Sequence, residues 1–152
     1  MRPGREAAVP EAVNRALEQV LGTRIGHVKV IEHSWVARLH RRAVAATRPR
    51  RIYLRGGAAE FFADPRLMLH EYCHVVRQWQ NGRLTVRRYL LEWLRRGYWN
   101  NRFEVEAREF ADLNVAQLNA LLRVLTPPAD PAGRATAAPS SPQPHRTSAS
   151  RR

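Results

Sequence analysis

The chain contains a single cysteine, Cys73, in 152 residues. That excludes an internal disulfide framework and any cysteine-rich metal knuckle, and it fits a reducing compartment. Lysine is almost as scarce: Lys29 stands alone, although Lys and Arg together number 26 against 13 Asp and Glu, a formal net charge of +13. The positive charge is therefore arginine, scattered through every segment, and so complete a bias reflects GC-rich coding as readily as a binding surface. No nucleic-acid-binding motif accompanies it. The expectation is non-specific polyanion binding at low salt, with a dedicated nucleic-acid function as a minor alternative. No apolar run approaches the roughly 20 residues of a membrane helix. The start, "MRPGREAAVPEAVNRALEQV", lacks the continuous apolar stretch of a signal peptide. The chain is expected to be cytoplasmic and without a membrane partner, with export by a non-classical route left open. Phosphate-binding glycine loops and nucleophile elbows are also absent.

Two regions differ in composition. From Thr126 onward the sequence holds six of the ten prolines and no aromatic residue. Such a segment buries too little to offset its ordering entropy, so 126–152 is predicted to be a disordered basic tail, His145 included. Residues 8–125 are predicted to form one folded domain. "PEAVNRALEQVLG" reads as a helix from Pro10 to Gly22, with Val13, Leu17, Val20 and Leu21 on one face. "HVKVIE" and "RRIYLRGG" read as strands, and "SWVARLHRRAVAA" as a helix capped by Ser34. "ADPRLMLHEYCHVVRQWQNG" has Asp64 as cap, Pro65 at the first helical position and Asn81-Gly82 as a stop. "LTVRRYLLEWLRRG" and "NNRFEVEAREFADLNVAQLNALLRVL" complete a helix-rich α+β domain with a small sheet.

The helix from Asp64 carries the chemistry. Within the apolar run "LMLHEYCHVV", His70 and His74 lie about 40° apart on a helix and project side by side. Two neutral imidazoles at this spacing suit one Zn²⁺. Glu71, turned about 100° from His70, flanks such a metal and is placed to take a proton from a water that the metal acidifies. This is the HExxH pattern of zinc peptidases. A chance pattern with hydrogen-bonded buried histidines is the bland alternative, but two histidines and a glutamate in an apolar helix carry a large desolvation cost without a partner.

A third protein ligand is sought in "NNRFEVEAREFAD". The core face of that helix is Phe103, Ala107, Phe110, Ala111, Leu118, Leu121 and Leu122. Glu104 and Glu106 flank it on opposite sides, at about 70° and 90°. The small Ala107 and Ala111 allow another helix to approach closely. Both glutamates stay candidates on this geometry, Glu104 slightly ahead, with an Asn101–Glu104 capping box or a solvated charge as its alternatives. Tyr89 and Tyr98 are candidate oxyanion donors, or else pack with Trp93 and Trp99. Cys73 reads as a small buried hydrophobe, and His27, His33 and His40 as surface or capping residues.

In order, "VLG", "VKV", "AVAAT", "RIYLR" and "LMLHEYCHVVRQ" resemble the eCIS core domain family, over about residues 10–80. Those are zincin-like proteins, found alone or attached to cargo of extracellular contractile injection systems. "FEVEAREFA" is similar to the third-ligand helix of gluzincin-type metallopeptidases. The resemblance implies a zincin-like fold, zinc held by His70, His74 and Glu104 rather than Glu106, and Glu71 as general base toward a protein or peptide substrate. It also implies a departure: Arg108 stands where many such enzymes place an acidic residue that orients a ligand histidine. A zinc-stabilised binding or cargo-targeting module without turnover is the alternative. The sequence does not specify the oligomeric state.

Overall fold

The structure, a computed structural model, describes residues 4–39 and 44–126. His40 and the predicted tail beyond Thr126 lie outside them. The domain is helix-rich α+β, with a four-stranded mixed sheet in the order β1-β2-β4-β3. Strand β1 (Arg5–Ala7) runs antiparallel to β2 (Lys29–Glu32), with Glu6 opposite Ile31. Strand β4 (Arg51–Leu54) lies parallel to β2 with Ile52 beside Val30, and β3 (Ala45–Arg48) closes the edge antiparallel to β4.

Local chemistry sets the helix ends. Helix α1 (Glu11–Leu21) follows Pro10 and stops at Gly22, whose φ of 68° lets its N–H turn back to the Glu18 carbonyl. Its Val13, Ala16 and Leu17 are buried in the core, where the helix packs along the last helix. After the short α3 (Ala58–Phe62), Asp64 caps α4 (Pro65–Tyr72) by accepting from the Leu67 N–H at 2.9 Å. Thr85 caps α5 (Val86–Arg96) and Asn101 caps α6 (Arg102–Leu125) in the same way. The core joins Leu17, Val30, Ile52, Leu69 and Leu118. Helices α4 and α6 pack directly, because Ala107 and Ala111 of α6 present almost no side chain at the crossing.

Three expectations change. First, the helix predicted from Ser34 through Ala46 is only α2 (Trp35–Leu39) among the described residues, and Ala45–Arg48 is a strand. Alanines permit either state. Pairing of Ala45 with Leu54 and Ala46 with Tyr53 decides for the strand, through a Pro49–Arg50 turn with Arg50 at φ 62°. Second, β1 lies ahead of the 8–125 span. It is possible because Gly4 sits where a Cβ would come 2.6 Å from the Glu32 carbonyl oxygen. Third, the helix from Pro65 does not continue as one α-helix to Asn81. From Cys73 to Trp79 it widens into a π-helix, with Gln80 N–H reaching back five residues to the Val75 carbonyl at 3.1 Å.

One carboxylate ties the sheet to the helical layer. Buried Glu32 accepts from the Ala58 N–H at 3.0 Å, at the start of α3, and from Arg5 Nε at 2.8 Å in β1. The Ala58 amide and the Arg5 guanidinium hold its carboxyl below the usual range. A folded-state pKa below the unfolded value contributes stability above about pH 4.3, lost as the pH falls through the folded pKa. Glu32→Gln is therefore expected to lower the thermal midpoint at pH 7 and to flatten the acid limb of the midpoint-versus-pH curve. Parallel acid limbs for the two proteins would contradict this role.

Candidate metal centre

The end of α4, the π-helical segment that continues it and α6 build the site. His70 projects from the last turn of α4 and His74 from the π-helix. Their rings stand edge to face with centroids 4.7 Å apart, and the two Nε2 atoms are separated by 3.1 Å. Glu104, in the first turn of α6, brings Oε2 to 3.3 Å from His70 Nε2 and Oε1 to 3.7 Å from His74 Nε2. His74 and Glu104 are buried and His70 is partly covered. Among the described residues these three form a group whose ligand atoms lie within 4.8 Å of one another, an arrangement that could hold a metal ion.

The tautomer of His74 follows from its neighbours. The Phe103 carbonyl only accepts, so the Gln78 amide nitrogen, 2.9 Å away, must face it. The Gln78 oxygen then faces His74 Nδ1 at 2.8 Å, so Nδ1 carries the hydrogen and donates. In the neutral ring, His74 Nε2 is then the nitrogen whose lone pair is open to a metal; in the protonated ring it faces Glu104 as a cation. Gln78 is completely buried and links the π-helix to α6 in the same stroke. This is the orienting contact that metal-ligand histidines require of an outer neighbour. Arg108, at the position expected to orient a histidine, instead donates to the Trp99 carbonyl and lies over the Trp99 ring at 5.3 Å. Gln78 carried no role of its own at the level of sequence. Its four-residue spacing from His74 is the signal that assigns it.

Electrostatics polarise the group further. Burial opposes charge on His74, but Glu104, with Glu71 and Gln78, outweighs burial and raises the imidazole's pKa. Burial alone would raise Glu104; the His70 and His74 imidazoles facing it, in their charged form, hold its carboxyl well below the ordinary range. Glu71 is buried beside them, and that burial raises its pKa against the pull of the two histidines. Tyr89 of α5 donates its hydroxyl to Glu104 Oε1 at 2.9 Å, and burial followed by the carboxylate raises the phenol pKa, so the hydroxyl stays a donor. Glu104 Oε2 is buried without a hydrogen-bond partner among the described residues. An orphaned carboxylate oxygen facing two imidazoles fits a cation between them.

The remaining candidates are dispersed. Glu106 pairs with Arg83 at 2.8 and 3.0 Å on the other side of α6. Cys73 is buried outside the group, and burial pushes its thiol up to about 12, so it remains protonated. Tyr98 is the exception: it packs edge to face on Trp99, with centroids 5.8 Å apart, and lies near enough to Glu104 that burial and then the carboxylate push its phenol up to about 12. His27 and His33 are exposed.

Residues 8–82 match the sequence profile of the eCIS core domain. Over that span the chain belongs to the eCIS core domain family. No curated protein and no solved structure matches the chain. The eCIS core domain supplies His70, Glu71, His74 and Gln78, whereas Tyr89 and Glu104 lie beyond the matched segment.

Gln78→Leu leaves the His74 Nδ1–H and the Phe103 carbonyl buried without partners. It is expected to destabilise the metal-free chain by about 2–4 kcal/mol, measured by denaturant unfolding. It should also weaken divalent-metal binding about 10- to 100-fold, measured by competition with a chromogenic chelator. Unchanged metal affinity would show that Gln78 does not set the His74 tautomer.

Proposed function

We propose that the chain is a zinc-dependent, gluzincin-type peptidase in which His70, His74 and Glu104 hold the metal and Glu71 is the general base. The observation that carries this reading is the buried convergence of the two Nε2 atoms and the Glu104 carboxylate, with Glu71 next to the first ligand. Tetrahedral bonds of about 2.0–2.2 Å place neighbouring ligand atoms about 3.3–3.6 Å apart. The separations of 3.1, 3.3 and 3.7 Å fall within a few tenths of an ångström of that. Two imidazole nitrogens and one carboxylate are a donor set that suits zinc, and three protein ligands leave a fourth position for water or substrate.

Bound zinc supplies a Lewis acid and lowers the pKa of a water towards neutrality. The chain supplies the rest. Burial brings the Glu71 carboxylate closer to the working pH, where it accepts a proton and returns it to a leaving amine most effectively. Gln78 keeps the His74 lone pair pointed inward, and Tyr89 holds Glu104 in place while offering a hydroxyl at the rim of the site. The substrate is a protein or peptide. Strand β3 is a sheet edge packed along α4 and the π-helix, and an extended peptide adds to such an edge through main-chain hydrogen bonds.

Incubation of the zinc-loaded protein with a mixed peptide pool, read by mass spectrometry, tests the activity. Cleavage is expected from the wild type and a loss of about 100-fold or more from Glu71→Gln, with the zinc content of that variant unchanged. A wild type that holds zinc but cleaves nothing would contradict turnover and favour the zinc-stabilised module. Equal cleavage by Glu71→Gln would remove Glu71 from the mechanism.

A further inference from the structure

Helix α5 has no buried residue along its length, although its sequence, "VRRYLLEWLRR", is half apolar. At about 100° per residue, Trp93, Val86, Leu90 and Leu94 fall within about 100° of one another. They form a single apolar stripe. The side turned to the protein is a different one: Tyr89 reaches Glu104, and Glu92 pairs with Arg96 and Arg102. The stripe therefore faces outward, with Leu90 50% and Leu94 73% exposed, and Trp99 just beyond the helix 71% exposed. Of the other seven positions four are arginines, Arg87, Arg88, Arg95 and Arg96, all exposed, against the one glutamate; Arg96 pairs with Glu92, and Arg87 and Arg95 flank the outer face.

We infer that α5 and the aromatic turn after it form a docking face for an anionic lipid surface. A strongly amphipathic helix with leucine and tryptophan on one side and arginine on the other is the kind that lies in the plane of a membrane interface. The charge complements anionic headgroups, and the chain's +13 adds attraction over longer range. Arginine stems can lie along acyl chains while the guanidinium reaches the headgroups. That places Leu91, between Arg87 and Arg95 on the helical wheel, in contact with lipid too. A second copy of this face is disfavoured, because pairing two such helices would oppose arginine to arginine. The expectation of no membrane partner rested on the lack of a spanning run. A helix lying in the interface needs none, and among the described residues no helix is long and apolar enough to cross a membrane. The inference does not depend on the metal or on peptidase activity.

The test is co-sedimentation of the full chain with vesicles containing roughly one-third phosphatidylglycerol, beside pure phosphatidylcholine vesicles. The wild type is expected to partition onto the anionic vesicles and weakly onto the neutral ones. Leu90→Ser with Leu94→Ser should reduce partition at least about tenfold, and Arg95→Gln about fivefold. Both leucines are exposed, so the variant keeps its fold, which an unchanged unfolding midpoint verifies. The control is Leu113→Ser with Val124→Ser, which removes apolar side chains 82% and 79% exposed on α6 and should leave partition unchanged. No partition by the wild type would overturn the inference. So would undiminished partition of the double-leucine variant, since the binding would then be polyanion contact alone. Self-association of the wild type that disappears in that variant, without vesicle binding, would assign the face to a second copy instead.

Discussion

A carboxylate from one helix is held against two imidazoles from another, in a space almost closed to water. Everything else in the domain is arranged around that contact. Burying Glu104 without a cationic partner would be costly, as would burying His74 without an acceptor. Each removes much of the other's cost, and Gln78 satisfies the ring nitrogen facing away from the contact. The approach is possible only because Ala107 and Ala111 let α6 close on α4, and because Asn101 starts α6 one turn before Glu104 reaches the histidines. Sheet and α1 then serve as the platform that presses these helices together.

Much of this was legible from residues alone. Asp64 followed by Pro65 marked the start of the α4 helix, and alternating glycine and proline signals bounded most elements. The apolar face of α6 was readable from Phe103 to Leu122, and the alanines within it pointed to a close helix crossing. What failed to show has physical causes. β3 and β1 are short strands of alanine, threonine and charged residues, stabilised by partners distant in sequence, so local propensity says little about them. The π-helical turn depends on how Cys73–Trp79 packs against α6 and carries no periodic signature. Arg108 occupies an orienting position by resemblance, yet its guanidinium is used to hold Trp99; the orienting contact comes from the histidine helix itself.

The two faces of α5 show the same limit from another side. The stretch "LTVRRYLLEWLRRG" read as a helix, but that reading did not show which side the domain would leave uncovered. Tyr89 and Glu92 turn inward because Glu104 and Arg102 offer partners there. The larger apolar stripe finds no counterpart among the described residues and remains at the surface. One helix thus braces the candidate metal ligand on one side and presents leucine and tryptophan on the other, so whatever binds the outer face sits beside the site.

The proposed function requires that His70, His74 and Glu104 together hold one zinc ion. Elemental analysis of the purified chain, reconstituted with zinc and freed of excess, measures this directly beside Glu104→Ala and Glu106→Ala. About one zinc per chain in the wild type and in Glu106→Ala, with loss in Glu104→Ala, is the expected result. A wild type without zinc, or a Glu104→Ala variant that retains it fully, would contradict the site.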